Sequence, residues 1–153
     1  PYGIKPDLIT FAKGMGGGLP IGGVIFSDRA KGALSKGDHG STFGANPIVC
    51  AGAMAVVDTV NEEFLRQVKE KGAYMAEVIR GFSGVEAVSG RGLMLGIKLK
   101  PQEGRTSASI VKAAIDKGLL VLTAKEKVRL LPPLNISKEE MEKGLAILKE
   151  LLD

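Results

Sequence analysis

The 153 residues hold one cysteine, one histidine and no tryptophan. The single Cys50 excludes an internal disulfide and fits a reducing, cytoplasmic compartment. One His and one Cys cannot supply the ligands of a structural zinc site. Aromatic residues are scarce, with two Tyr and five Phe, and the lysines behind the net charge of +4 are scattered. Nucleic-acid binding, which wants a basic stripe with stacking platforms, is therefore disfavoured. No run is long and apolar enough to span a membrane, and no signal peptide opens the chain. An initial methionine is missing too. Pro1-Tyr2-Gly3 leads almost at once into an apolar run, as expected of a piece of a longer protein.

Glycine is what the chain has in excess: 21 residues, about twice the usual ~7% share. Many cluster behind the run Leu8-Ile9-Thr10-Phe11-Ala12, which has the branched and aromatic content of a buried strand. Lys13 ends that run, and Gly14, Gly16, Gly17 and Gly18 follow it. A lysine at a strand end beside glycines that let a ligand approach the backbone sits where α/β proteins place their chemistry.

Gly22 to Ser27 reads as a second buried strand, Asp28 to Leu34 as a short helix, and Ser35 to Asn46 as a loop. Asn46 and Pro47 form a helix start. The helix they open, Ile48 to about Val60, is apolar on nearly every face and should be buried on several sides, within the protein or at a subunit interface. A second, amphipathic helix is expected over Glu62 to Phe82. Strands follow at Val85 to Ser89 and Leu93 to Leu99, around a Gly90-Arg91-Gly92 turn. Next come a helix over Ser107 to Lys117 stopped by Gly118, and strands at Leu119 to Thr123 and Lys127 to Leu131. A final helix is capped by the Ser137/Glu140 box. The texture changes near residue 81. We therefore expect residues 1–81 to be the end of a larger α/β domain with connecting helices, and 82–153 to be a small α+β domain.

Three stretches carry chemistry. Lys13 suits a Schiff base if its setting is desolvated. From spacing alone a solvated charge at a strand end is the commoner reading, and a phosphate ligand is a third, but the glycine order is the reverse of a Walker loop. His39-Gly40-Ser41-Thr42-Phe43-Gly44-Ala45-Asn46-Pro47 puts small hydroxylated residues before a helix N-terminus. That is either an anion site or a surface loop with its cap; His39 alone is assigned no role. Arg129, flanked by apolar residues, either pairs with an internal carboxylate or awaits an acidic ligand. Arg91 reads as structural and Cys50 as a small core residue.

Together these stretches resemble the class III aminotransferases that use pyridoxal 5'-phosphate on the fold type I scaffold. Pro6 to Gly22 is similar to that family's cofactor-lysine motif, and His39 to Pro47 to its phosphate-contact loop. Gly92 to Ile97 and Val128 to Leu134 resemble its C-terminal segments. Two departures are small: Gly23 stands where alanine is usual, and Ala45 where a second glycine is usual. The resemblance implies that Lys13 holds the cofactor covalently and moves the substrate proton, and that Thr42 binds the cofactor phosphate across a homodimer interface. It implies that Ser41 touches substrate and that Arg129 binds the substrate α-carboxylate. The wording is closest to the branch that transfers the amino group of N2-acetylornithine to 2-oxoglutarate in arginine biosynthesis, with the ornithine branch next. A non-catalytic phosphate-binding module is the alternative class. The family's other cofactor contacts lie upstream of Pro1, so the 153 residues by themselves are expected to be inactive.

Overall fold

A computed structural model describes residues 3–153; the expectation drawn from Pro1-Tyr2 lies outside the described residues. The chain folds as two compact units, the first ending at Asn61 and the second running Glu62–Asp153. That division falls some twenty residues before the expected one near 81, and its cause is the helix Glu62–Arg80. Val68, Met75, Ala76 and Ile79 on that helix are buried in one core with the later strands, so it belongs to the second unit.

In the first unit, β1 (Leu8–Ala12) pairs antiparallel with β2 (Gly22–Phe26), from Leu8 opposite Phe26 to Ala12 opposite Gly22. The ribbon is closed beyond its open end by Asp7. Its backbone carbonyl accepts from the Ser27 N–H at 2.8 Å, and its carboxylate takes the Ser27 hydroxyl and the Arg29 guanidinium, also at 2.8 Å. The strands were expected to be buried, but they are not: Leu8, Ile9, Val24 and Ile25 are each about half exposed. A two-stranded ribbon has no third strand and no helix on either face among the described residues, so its alternating side chains meet solvent both ways. The short helix expected over Asp28 to Leu34 is also missing. Ala30 and Lys31 turn back to the Ser27 carbonyl, Ala33 to that of Ala30, and the chain passes into loop without further helical bonds.

Helix α1 (Pro47–Thr59) starts as the sequence predicts. The Asn46 side chain accepts from the backbone N–H groups of Ile48 and Val49, at 3.0 and 3.3 Å, and Pro47 occupies the first helical position. It is apolar all round, yet only Ala53 is buried, while Ile48, Met54 and Val57 stand exposed.

The second unit is a four-stranded antiparallel sheet of order β3-β4-β6-β5, with β3 Val85–Arg91, β4 Met94–Leu99, β5 Leu122–Ala124 and β6 Lys127–Leu130. Leu95, Ile97, Val128 and Leu130 on one face share a core with α2 (Glu62–Arg80), α3 (Ser107–Asp116) and α4 (Lys138–Leu152). Helix α2 touches the β3–β4 turn closely: a Cβ on Gly72 would lie 2.1 Å from the Gly92 carbonyl oxygen. Gly92 itself is left-handed at φ +53°. The start of β3 is strapped to the end of α4, with Gly84 N–H donating to the Leu152 carbonyl at 2.7 Å and Ser83 N–H to the Asp153 carboxylate at 2.6 Å. Both capping boxes, Thr106/Ser109 and Ser137/Glu140, are formed. Gly118 turns left-handed after α3, at φ +80°.

Candidate active site

Lys13 stands at the end of β1 as the first residue of a short 3-10 turn, Lys13–Gly16. Its φ is +57°, a left-handed conformation that costs a side-chain-bearing residue about 1–2 kcal/mol. Held this way, the chain reverses sharply where the strand ends. Gly17 closes the turn at φ +61°, and a Cβ on Gly14 or Gly18 would meet nothing within 4 Å. The lysine is exposed, so the desolvated setting expected for it is not supplied by the described residues. What the glycines do provide is open space at Gly14 and Gly18, on the residues that follow the lysine. The same turn is packed against α1, since a Cβ on Gly52 would lie 2.6 Å from Leu19 Cδ1 and 3.4 Å from the Gly16 carbonyl oxygen.

The Ser35–Asn46 loop returns to this region at its far end. A cavity of about 200 Å³ is lined by Pro20, Ile21, Ser41, Gly44, Asn46 and Cys50, among others. Ser41 forms part of its wall; Lys13 and Thr42 do not. Cys50, expected in the core, is half-buried and faces this cavity instead. Ala45 is left-handed at φ +56°, which is why glycine suits that position. At Gly23 the reason is space: the Phe11 ring of the paired strand lies over it, and a Cβ would sit 2.4 Å from Phe11 Cζ.

In the second unit, Arg129 projects from β6 on the face opposite the buried Val128 and Leu130, and is half-buried. It stands opposite Gly96 of β4 and Leu122 of β5. Of the two alternatives the sequence leaves open, an internal ion pair is not formed: among the described residues no carboxylate lies within salt-bridge distance of the guanidinium. Its Nη2 donates instead to Met94 Sδ at 3.5 Å. Two residues along the strand, Lys127 donates from Nζ to Ser89 Oγ at 2.9 Å, and Glu86 is engaged by Lys98 at 2.6 Å. Met94 and Lys127 are the neighbours the sequence reading missed. Lys127 was detectable as the same-face neighbour two residues before Arg129, whereas Met94 enters only through strand register.

A lysine at a glycine-rich strand end, a hydroxyl loop at a helix start and an unpaired strand arginine occur here in the order of the family motifs. Residues 1–152 match the family model described as aminotransferase class III. The chain belongs to that family, whose members use pyridoxal phosphate, and its architecture is α/β, that of the fold type I transferases. It is similar to the acetylornithine aminotransferases of Haemophilus ducreyi, 43% identical over 151 residues, and Aquifex aeolicus, 42% identical over 152. Each comparison covers 99% of this chain but only 38% and 39% of the respective relative, so the chain spans well under half of their length. Among solved structures, the acetylornithine aminotransferase of Elizabethkingia anophelis superposes with a TM-score of 0.83 at 28% identity, covering 97% of this chain and 41% of that one.

Proposed function

We infer that the protein is a pyridoxal-phosphate-dependent transaminase that takes the amino group of N2-acetylornithine and passes it to 2-oxoglutarate, in arginine biosynthesis. The observation that carries the substrate half of this reading is Arg129, a half-buried strand arginine whose guanidinium, among the described residues, donates to a neutral thioether. Such a guanidinium, with its planar fork free of any acid, is suited to a carboxylate held through two parallel hydrogen bonds. Both proposed substrates carry an α-carboxylate.

The residues present fit the cofactor. Lys13 offers a primary amine with nothing bulky beyond it, and Ser41 and Thr42 offer hydroxyls beside the start of α1, where the helix dipole favours a phosphate. Pyridoxal phosphate, when bound, supplies a carbonyl for amino groups and a ring that takes up electron density. Lys13 Nζ is the covalent anchor in the resting protein. Once freed, it takes the proton from the substrate Cα and later returns one, as general base and then acid. Thr42 binds the phosphate, Ser41 lies against the substrate, and Arg129 holds the substrate α-carboxylate. The exposed apolar residues of α1 support a homodimer in which that helix is covered. Because the matched relatives are more than twice as long, we assign turnover to the full-length protein and none to these 153 residues by themselves.

Borohydride treatment of the full-length protein with pyridoxal phosphate should attach the cofactor irreversibly to the peptide containing Lys13, read by mass spectrometry. Labelling elsewhere would falsify the assignment. Arg129→Ala should raise KM for both substrates roughly 100-fold, for a bidentate pair contributing about 3 kcal/mol. An unchanged KM would remove Arg129 from the site.

A further inference from the structure

Strand register places Ser89, Gly96, Arg129 and Leu122 in one row across the open face of the second sheet. Gly96 is the only gap in that row, and Lys127 fills it. A Cβ on Gly96 would lie 3.3 Å from Lys127 Cδ and 3.5 Å from Ser89 Oγ. The lysine stem therefore crosses above Gly96, and its ammonium ends on Ser89 Oγ at 2.9 Å. This closes one side of Arg129. The guanidinium cannot swing inward over Gly96, because the stem occupies that space and the ammonium repels it. On its other side the guanidinium meets Met94 Sδ at 3.5 Å. Met94 is 52% exposed, so it is not held there by the core.

The two neighbours share one property: neither is an acid. A thioether accepts a guanidinium hydrogen weakly and leaves its charge uncompensated. A carboxylate at the same place would neutralise it and compete with any incoming acid. Glu86, on the edge strand β3, is held by Lys98.

We propose that Met94 and Lys127 are positioning residues for Arg129, confining its side chain from two sides while leaving its charge available to the substrate carboxylate. The proposal rests on the reading of Arg129 as the carboxylate ligand. Met94→Ala frees the arm, and immobilising it again on binding costs about 3- to 10-fold in KM for both substrates. Met94→Glu places a competing carboxylate on the guanidinium and raises KM toward the value of Arg129→Ala. Met94→Leu, which keeps bulk and neutrality, stays within about twofold of the natural protein. Lys127→Gln, which loses the ammonium and its field over a distance of two strand positions, raises KM about 2- to 5-fold, and Lys127→Arg restores it.

In all of these kcat changes less than KM, and the melting temperature is unchanged because both residues lie on the solvent side of the sheet. A second readout needs no turnover: the dissociation constant for glutarate, measured by calorimetry on the cofactor-loaded full-length protein, follows the same ranking. If Arg129→Ala weakens glutarate while Met94→Ala, Met94→Glu and Lys127→Gln do not, the positioning role is refuted and the carboxylate role of Arg129 stands. If Arg129→Ala itself has no effect, both fail.

Discussion

Replacing Gly72 by alanine tests whether α2 and the β3–β4 turn are packed as described. In an exposed helix interior this change stabilises, by about 1 kcal/mol of helix propensity. Here the added methyl would lie 2.1 Å from the Gly92 carbonyl oxygen, 2.4 Å from its carbonyl carbon and 2.9 Å from its Cα. All three are backbone atoms, so no side chain can turn aside. The helix must lift by about 1 Å, or the left-handed Gly92 must move, and overpacking of that kind costs about 1–3 kcal/mol or more. Taking the upper end and subtracting the propensity gain leaves a loss of about 2 kcal/mol. For a unit of this size that corresponds to a melting temperature lowered by about 8–16 °C. Gly144→Ala is the control. It too lies inside a helix, but its Cβ would meet only Leu119 Cδ1, at 3.4 Å, so a gain of about 0.5–1 kcal/mol is expected. Thermal unfolding followed by circular dichroism reads both. A Gly72→Ala protein as stable as Gly144→Ala would refute the close approach of helix and turn.

Asn46→Ala should destabilise by about 1 kcal/mol, since two helix N–H groups lose their acceptor; chemical denaturation of the first unit, with no change in the second, checks this. Ala45→Gly should stabilise the same unit by about 1 kcal/mol by relieving a left-handed residue, and an unchanged midpoint would show that the loop does not hold that conformation. Glu140 titrates below the ordinary glutamate range, because its carboxylate accepts from the Ser137 backbone N–H and then from the Ser137 hydroxyl. A carboxyl depressed on folding contributes stability that is full above its unfolded value and fades as pH falls through the folded one. The second unit should therefore lose stability on acidification below the usual carboxylate range, and Glu140→Gln should flatten part of that slope.

Local chemistry was legible in the sequence where it is set by neighbours a few residues apart. The Asn46-Pro47 start, the Ser137/Glu140 box and the left-handed Gly118 all follow from short-range geometry. The apolar content of β1 and β2 correctly marked strands but not their burial, because burial depends on what packs across them. That α2 packs with the second unit was not legible, because α2 follows α1 almost without interruption while its apolar stripe is matched to strands that come later. The lysine, the hydroxyl loop and the arginine were readable as residue types in order. The setting of Arg129 was not. Met94 lies 35 positions away and reaches it only through the pairing of β4 with β6, which no local pattern encodes.

The strap between the start of β3 and the end of α4 governs timing as well as stability. Ser83 and Asp153 are 70 positions apart, which at ribosomal speeds of about 5–20 residues per second is a wait of about 4–14 s. For most of that interval α2, joined by the β3–β4 hairpin once Leu99 has been made, exists without a complete α4. Ile79 of α2, which ends fully buried, then lacks the helix that packs against α2. The nascent second unit is thus exposed to chaperones and to wrong partners for far longer than a hairpin or helix needs to form. The last two turns of α4 decide when that exposure ends.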